Sequence, residues 1–207
     1  MYVPAAFAET DTARLYAFIE AYDFGVLVSQ GADGPTATHV PFLLDTGAEP
    51  PRLFCHVARE NPQWRGIGGS GSALVVFSGP HAYVSPTWYE GRVAVPTWNY
   101  EAVHARGSAR TVHDPEALRA MLARLAARHE GGRPGGWSMD RMPERFIAGM
   151  LKGIVGIEIT VERLDGQRKL SQNRSAADRA GVIAGLNAEA DPGARAVARA
   201  MAALGGG

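Results

Sequence analysis

Apolar residues change their spacing along the chain, and each change marks an element. Leu15, Phe18, Ile19 and Tyr22 fall at i, i+3, i+4 and i+7, the single apolar face of a helix; Thr10 or Asp11 is placed to cap it and Gly25 to end it. The period then shortens. Residues 26–29 and 36–44 read as a hairpin around Asp33-Gly34, a turn dipeptide in a loop longer than the two-residue minimum. Pro41 demands an edge, a bulge or a strand end, because proline donates no ladder hydrogen bond. Further strands are predicted over 53–57, 73–77, 82–85, 94–98 and 103–112, with a short helical turn at 58–65 around Asn61-Pro62.

The helical period returns at Asp114-Pro115-Glu116, which supplies a cap, a first-position proline and an acid in the first turn. Leu118, Met121, Leu122 and Leu125 form its buried face, and Gly131-Gly132 stops it. A Gly/Pro-rich loop at 132–140 carries Trp137. Pro143 then opens a helix with Phe146, Ile147, Met150 and Leu151 on one face, and 154–161 returns as a strand that turns at Asp165-Gly166. Ser175 and Asp178 have capping-box spacing ahead of Val182, Ile183 and Leu186. A last helix over 194–204 follows Asp191-Pro192-Gly193.

Strands in one long block, with helices at the ends and in one insertion, predict an α+β arrangement around a barrel or strongly curved sheet. No repeat and no linker divides the chain. Residues 1–207 therefore read as a single domain, with the helices of 175–204 packed on the barrel or on a dimer partner.

Charge and composition narrow the chemistry. Twenty-one basic side chains balance twenty-one acidic ones, so no global basic field attracts nucleic acid, although a local patch stays open. The single cysteine, Cys55, sits in the apolar run LFCHV and reads as a buried, inert thiol. No signal-like N-terminus and no bilayer-length apolar run are present, which predicts a cytoplasmic protein without membrane contact. Six histidines without HExxH, CxxC or close His/carboxylate spacing predict no metal site. GxGxxG, the P-loop pattern and the GxSxG elbow are all missing.

Residues 74–104 concentrate the aromatic side chains. Trp88, Trp98, Tyr83, Tyr89 and Tyr100 stand on pieces cut short by Pro80, Pro86 and Pro96, with His81, Asn99 and His104 among the rings. Such a wall suits a flat aromatic ligand, since pockets are mostly apolar with a few placed polar groups. It equally suits an ordinary sheet core, and composition does not choose between the two. The last two helices do not resemble a DNA reader: after Asp191-Pro192-Gly193 comes an alanine-rich helix lacking side chains that read base edges.

The phrases ATHVPFLLD (37–45), HVARENPQW (56–64), GPHAYVSPTWY (79–89), VPTWNYEAVH (95–104) and KLSQNR (169–174) resemble, in order, the PaiB family of FMN-binding negative transcriptional regulators. The resemblance extends from MYVP at the start to DRAGVIAGL at 178–186. It implies an α+β FMN-binding split β-barrel with peripheral helices and a C-terminal helical segment. It also implies a homodimer with two flavin sites at the interface, FMN as cofactor, and DNA as a partner by family attribution.

By analogy with related split barrels, the flavin is expected against Thr38, His39, Val40 and Pro41 and against His56, Asn61 and Trp64, near a helix start whose free N–H groups suit an anion. Trp98, Asn99 and Tyr100 are expected to contact it from the partner subunit, and Lys169, Ser171 and Gln172 to add donors. His39 and His56 are equally consistent with satisfied core histidines. Two other classes stay open: an FMN-dependent oxidoreductase in which the cofactor transfers hydride or electrons, and a haem protein with His39, His56, His81 or His104 as axial ligand.

Overall fold

The structure is a computed structural model, and it describes residues 1–91 and 93–204. The chain forms β1 (Ala8–Glu9), α1 (Thr12–Ala21), β2 (Phe24–Gly31), β3 (Gly34–Pro41), β4 (Leu43–Asp45), β5 (Arg52–Ala58), α2 (Gln63–Ser70), β6 (Ser72–Val84) and β7 (Thr97–Val112). Then follow α3 (Pro115–Glu130), α4 (Glu144–Lys152), β8 (Ile154–Lys169), α5 (Ala176–Ala188) and α6 (Pro192–Ala203). Hydrogen-bonded strand order is β3-β2-β6-β7-β8-β5-β4, with β1 on β8. This is the expected α+β class.

The chain clusters into two compact units. One comprises 19–77 and 105–164, hence β2 to β5, α2 to α4 and parts of β6, β7 and β8. Period-two burial builds it. Along β5, Leu53, Cys55 and Val57 are buried while Arg52 and Ala58 are exposed. Cys55 is 1% exposed, and burial pushes its thiol far above the ordinary cysteine range. A second apolar layer joins Val112 to Leu118 and Met121 of α3 and Ile147 and Leu151 of α4. Gly156 allows that layer to close, because a Cβ there would lie 2.7 Å from a Leu118 methyl. Glu158, nearly buried, is held in a fork by Arg110 at 3.0 and 2.7 Å, with Arg52 at 3.4 Å.

The other unit comprises 1–18, 78–104 and the chain from 165 on. Its core is Ala82, Val84, Tyr89, Leu170, Val182 and Leu186 with Val197, Ala198 and Met201 of α6. Trp88 packs against this core, and α5 receives it at Gly181 and Gly185, where added Cβ atoms would lie 2.1 Å from the Trp88 carbonyl oxygen and 2.3 Å from its ring.

Caps follow the sequence signals. Asp11 accepts from the amides of Ala13 and Arg14, Asp114 from Ala117, Ser175 from Asp178 and Asp191 from Gly193. Pro41 ends β3. Five expectations are corrected. The hairpin connection is the two residues Ala32-Asp33, because Gly31 pairs with Gly34, and not a longer loop. Helix α1 ends at Ala21, and Gly25 belongs to β2, where a Cβ would press within 3.1 Å of the Phe77 ring. Helix α2 runs over Gln63–Ser70 rather than 58–65, because Pro62 is its cap and has no N–H to continue a helix behind it. Strands β6 and β7 each run unbroken where two pieces are predicted. Pro80 is tolerated inside β6 because the β2 partner ends opposite Val76, so no β2 carbonyl loses a donor there. Asp165-Gly166 is not a turn: β8 continues to Lys169, and Gly166 faces Glu9 of β1 with Leu15 where a Cβ would stand.

Candidate functional site

The residues expected to bind a ligand fall into two groups, one in each unit. The first is built on β3 and the segment after β5. Thr38 donates its hydroxyl to Gln63 Oε1 at 2.5 Å and accepts from Asn61 Nδ2 at 3.0 Å. Asn61 Oδ1 takes the Gln63 amide at 2.9 Å, which closes the first turn of α2. Gln63 Nε2 lies within 3.0 to 3.1 Å of Leu27 O, Ser29 Oγ and Thr36 O. This network pins the start of α2 to β2 and β3. Gln63 is its hub. Gln63→Leu will strand two strand carbonyls and the Thr38 hydroxyl, at a cost of about 2 kcal/mol, read as a lower urea midpoint.

Other members of this group are arranged differently from one another. Val40 is buried, while His39 is exposed and stacks on Phe24 with centroids 6.3 Å apart. Trp64 donates Nε1 to Arg59 O at 2.9 Å, meets His113 edge-on at 5.5 Å and carries the Arg65 guanidinium 5.0 Å from its centroid. His56 is half-buried and its Nδ1 has no hydrogen-bond partner in the structure; burial holds its pKa below the ordinary histidine value, so the ring is neutral at pH 7. Arg59 is spent on the junction of α4 and β8, donating to Lys152 O at 2.6 Å and Ile154 O at 2.7 Å.

The second group surrounds the start of β7 and the end of β8. Trp98 is 53% exposed, with the Tyr83 and His81 rings each 6.2 Å away. Its neighbour Asn99 is buried and bonds Ser171 Oγ at 2.9 Å and Met201 Sδ at 3.3 Å. Tyr100 is half-buried on the face opposite Asn99. Lys169 Nζ is held by Thr97 Oγ1 at 2.5 Å and by Trp98 O at 2.7 Å. Gln172 folds back on its own loop, accepting from Leu170 N at 2.7 Å and donating to Arg168 O at 2.5 Å. Ser171, at φ +62°, takes the left-handed conformation that side chains rarely adopt.

A sheet of this order with flanking helices is that of an α+β split-barrel protein, and its exposed ring cluster stands beside the Lys169 ammonium. The family described as "Putative FMN-binding domain" matches residues 1–163. The "Protease synthase and sporulation protein PAI 2" of Bacillus subtilis is 37% identical over 201 residues, covering 97% of this chain and 96% of its own. This chain belongs to that FMN-binding family and, within it, to the PaiB type. Two solved structures share the fold at low identity. The flavocytochrome Anf3 of Azotobacter vinelandii superimposes with a TM-score of 0.62 at 14% identity, over 78% of this chain and 69% of its own. The FAD and haem binding protein of Mycobacterium smegmatis gives 0.58 at 14%, over 84% and 78%.

The cofactor of the family is FMN, and the donor set fits it. An ammonium has three donors; the two acceptors on Lys169 leave one for a phosphate oxygen, and neither Lys169 nor Arg174 has a carboxylate within ion-pair distance among the described residues. No described helix is long and apolar enough to cross a membrane.

Proposed function

We propose that this protein is a cytoplasmic, homodimeric negative transcriptional regulator of the PaiB type, with FMN as its sensor or structural ligand. The observation that carries the reading is the 37% identity along 97% of the chain to a relative whose name ties it to protease synthesis and sporulation. In this reading Thr38, His39, Val40 and Pro41, with His56, Asn61 and Trp64, border the flavin from one subunit. Trp98, Asn99, Tyr100, Lys169, Ser171 and Gln172 of the partner subunit border it from the other side. The Thr38–Asn61–Gln63 network holds β3 and the start of α2 in fixed register, Trp98 offers a ring face, and the Lys169 ammonium offsets phosphate charge. When bound, FMN supplies a redox-active ring, so occupancy or redox state is the signal available for reading.

The test is a visible spectrum and fluorescence titration of the purified dimer, followed by gel shifts on promoter DNA with and without FMN. Saturation at one FMN per chain, with sequence-preferring DNA retention that changes with flavin, is the expected result. Retention without sequence preference that disappears at moderate salt would count against regulation, since phosphate contacts alone carry no sequence information.

A further inference from the structure

The loop joining β8 to α5 concentrates positive charge with no counter-charge. Lys169 and Arg174 stand five residues apart, and the hydrogen bond from Arg174 N to Ser171 O at 3.1 Å folds the loop back between them. The Lys169 pKa is held below its ordinary value first by burial and then by the field of Arg174, so the two cations feel each other. Neither meets a carboxylate among the described residues, whereas the preceding Arg168 pairs with Glu101 at 2.6 Å and Glu9 at 3.6 Å.

The loop is also held rigid. Ser171 keeps its left-handed backbone because Asn99 bonds its hydroxyl and Gln172 ties down the backbone before it, at Leu170 N and Arg168 O. Such a conformation in a residue other than glycine is strained and persists only where its surroundings over-determine it. Arg174 lies flat against Tyr89, its Cζ 4.5 Å from the ring centroid. Tyr89 is 92% buried, since only 8% of it is exposed, and its hydroxyl has no hydrogen-bond partner in the structure. Two like charges held on one loop without a counter-ion repel each other. One anion between them relieves that repulsion.

We propose that Lys169 and Arg174 form a two-cation clamp for an oxyanion, either a phosphate monoester or free phosphate. The clamp lies beyond the 1–163 segment that matches the FMN-binding domain. It deepens the flavin reading if the oxyanion is the phosphate of FMN, and it is a separate effector site if the oxyanion is free. Two cations recognise charge, and the planar guanidinium adds a bidentate fork.

The experiment compares wild type, Arg174→Met and Lys169→Ala in the full-length protein. Each is titrated with FMN and with riboflavin, which lacks the phosphate, and each flavin-free protein is melted with and without inorganic phosphate. Loss of FMN affinity by roughly tenfold or more in either variant, with riboflavin affinity unchanged, assigns the clamp to the cofactor's phosphate. Unchanged FMN affinity, with a phosphate-induced rise in Tm that wild type shows and the variants lose, assigns it to a free anion. If neither the preference for FMN over riboflavin nor the phosphate response changes in a folded variant, the clamp is overturned. Should wild type fail to bind FMN at all, the flavin reading falls, and the melting series still decides the clamp.

Discussion

Gly107→Ala will destabilise the protein by about 3 kcal/mol, the upper end of the usual overpacking range, and lower Tm by about 6–12 °C. Gly107 lies within β7, and its backbone runs so close to β8 that an added Cβ would stand 1.7 Å from Thr160 O and 2.8 Å from Thr160 C. Both obstacles are backbone. No side chain can swing away, so the strands must separate locally and lose ladder hydrogen bonds. Ordinary strand propensity points the other way, because alanine in place of glycine removes unfolded-chain entropy and gains about 0.4–1 kcal/mol where the site has room. The steric term is larger, so the sign is set by Thr160. A denaturant melt showing Gly107→Ala at or above wild-type stability would refute this account of the β7–β8 approach.

Trp88→Ala will cost about 3 kcal/mol by emptying the groove of α5, somewhat below a fully buried tryptophan because Trp88 is half-buried. The reciprocal change is more diagnostic. Gly185→Ala on an isolated helix would stabilise by about 1 kcal/mol. Here its Cβ would lie 2.3 Å from Trp88 Cδ2 and 2.5 Å from Cε2, so it destabilises instead. Once Trp88 is alanine, the obstacle is gone and helix propensity is free to act. The double variant is therefore expected to be more stable than Trp88→Ala alone, a reversal that a double-mutant cycle by urea denaturation reads directly. Additive losses would show that α5 and Trp88 do not share this contact.

The elements most legible in the sequence are those whose ends are set by local chemistry. Asp114-Pro115, Ser175 with Asp178, and Asp191-Pro192 each announce a helix because the cap and the helix are neighbours in sequence. Glycines were the least legible. Gly166 reads as a turn and serves as clearance for Leu15, while Gly181 and Gly185 serve as a seat for Trp88. What a missing Cβ is for depends on a partner distant in sequence, and periodicity carries no trace of it. Pro80 misled in the same way: whether a proline breaks a strand depends on whether the neighbouring strand extends that far.

The candidate site divides along the same line. Phrase resemblance pointed to Thr38, Asn61, Trp98 and Lys169 as candidates, but residue type alone could not separate a side chain with a donor to spare from one spent on its own loop. Lys169 keeps a donor in reserve, whereas Gln172 uses both ends of its amide on adjacent backbone. Arg59 shows the converse. Its donors are taken by two carbonyls, one at the end of α4 and one at the start of β8, and that geometry requires the fold.

The lone thiol sets the terms for any oxidative signalling. Cys55 is the chain's only cysteine, it is sealed within β5, and burial keeps it protonated. No disulfide within the chain and no exposed sulfenate is available to report oxidants. Peroxide titrations of flavin-free and flavin-loaded samples thus separate cleanly: a response confined to the loaded form belongs to the cofactor. An engineered surface cysteine would label against a silent background.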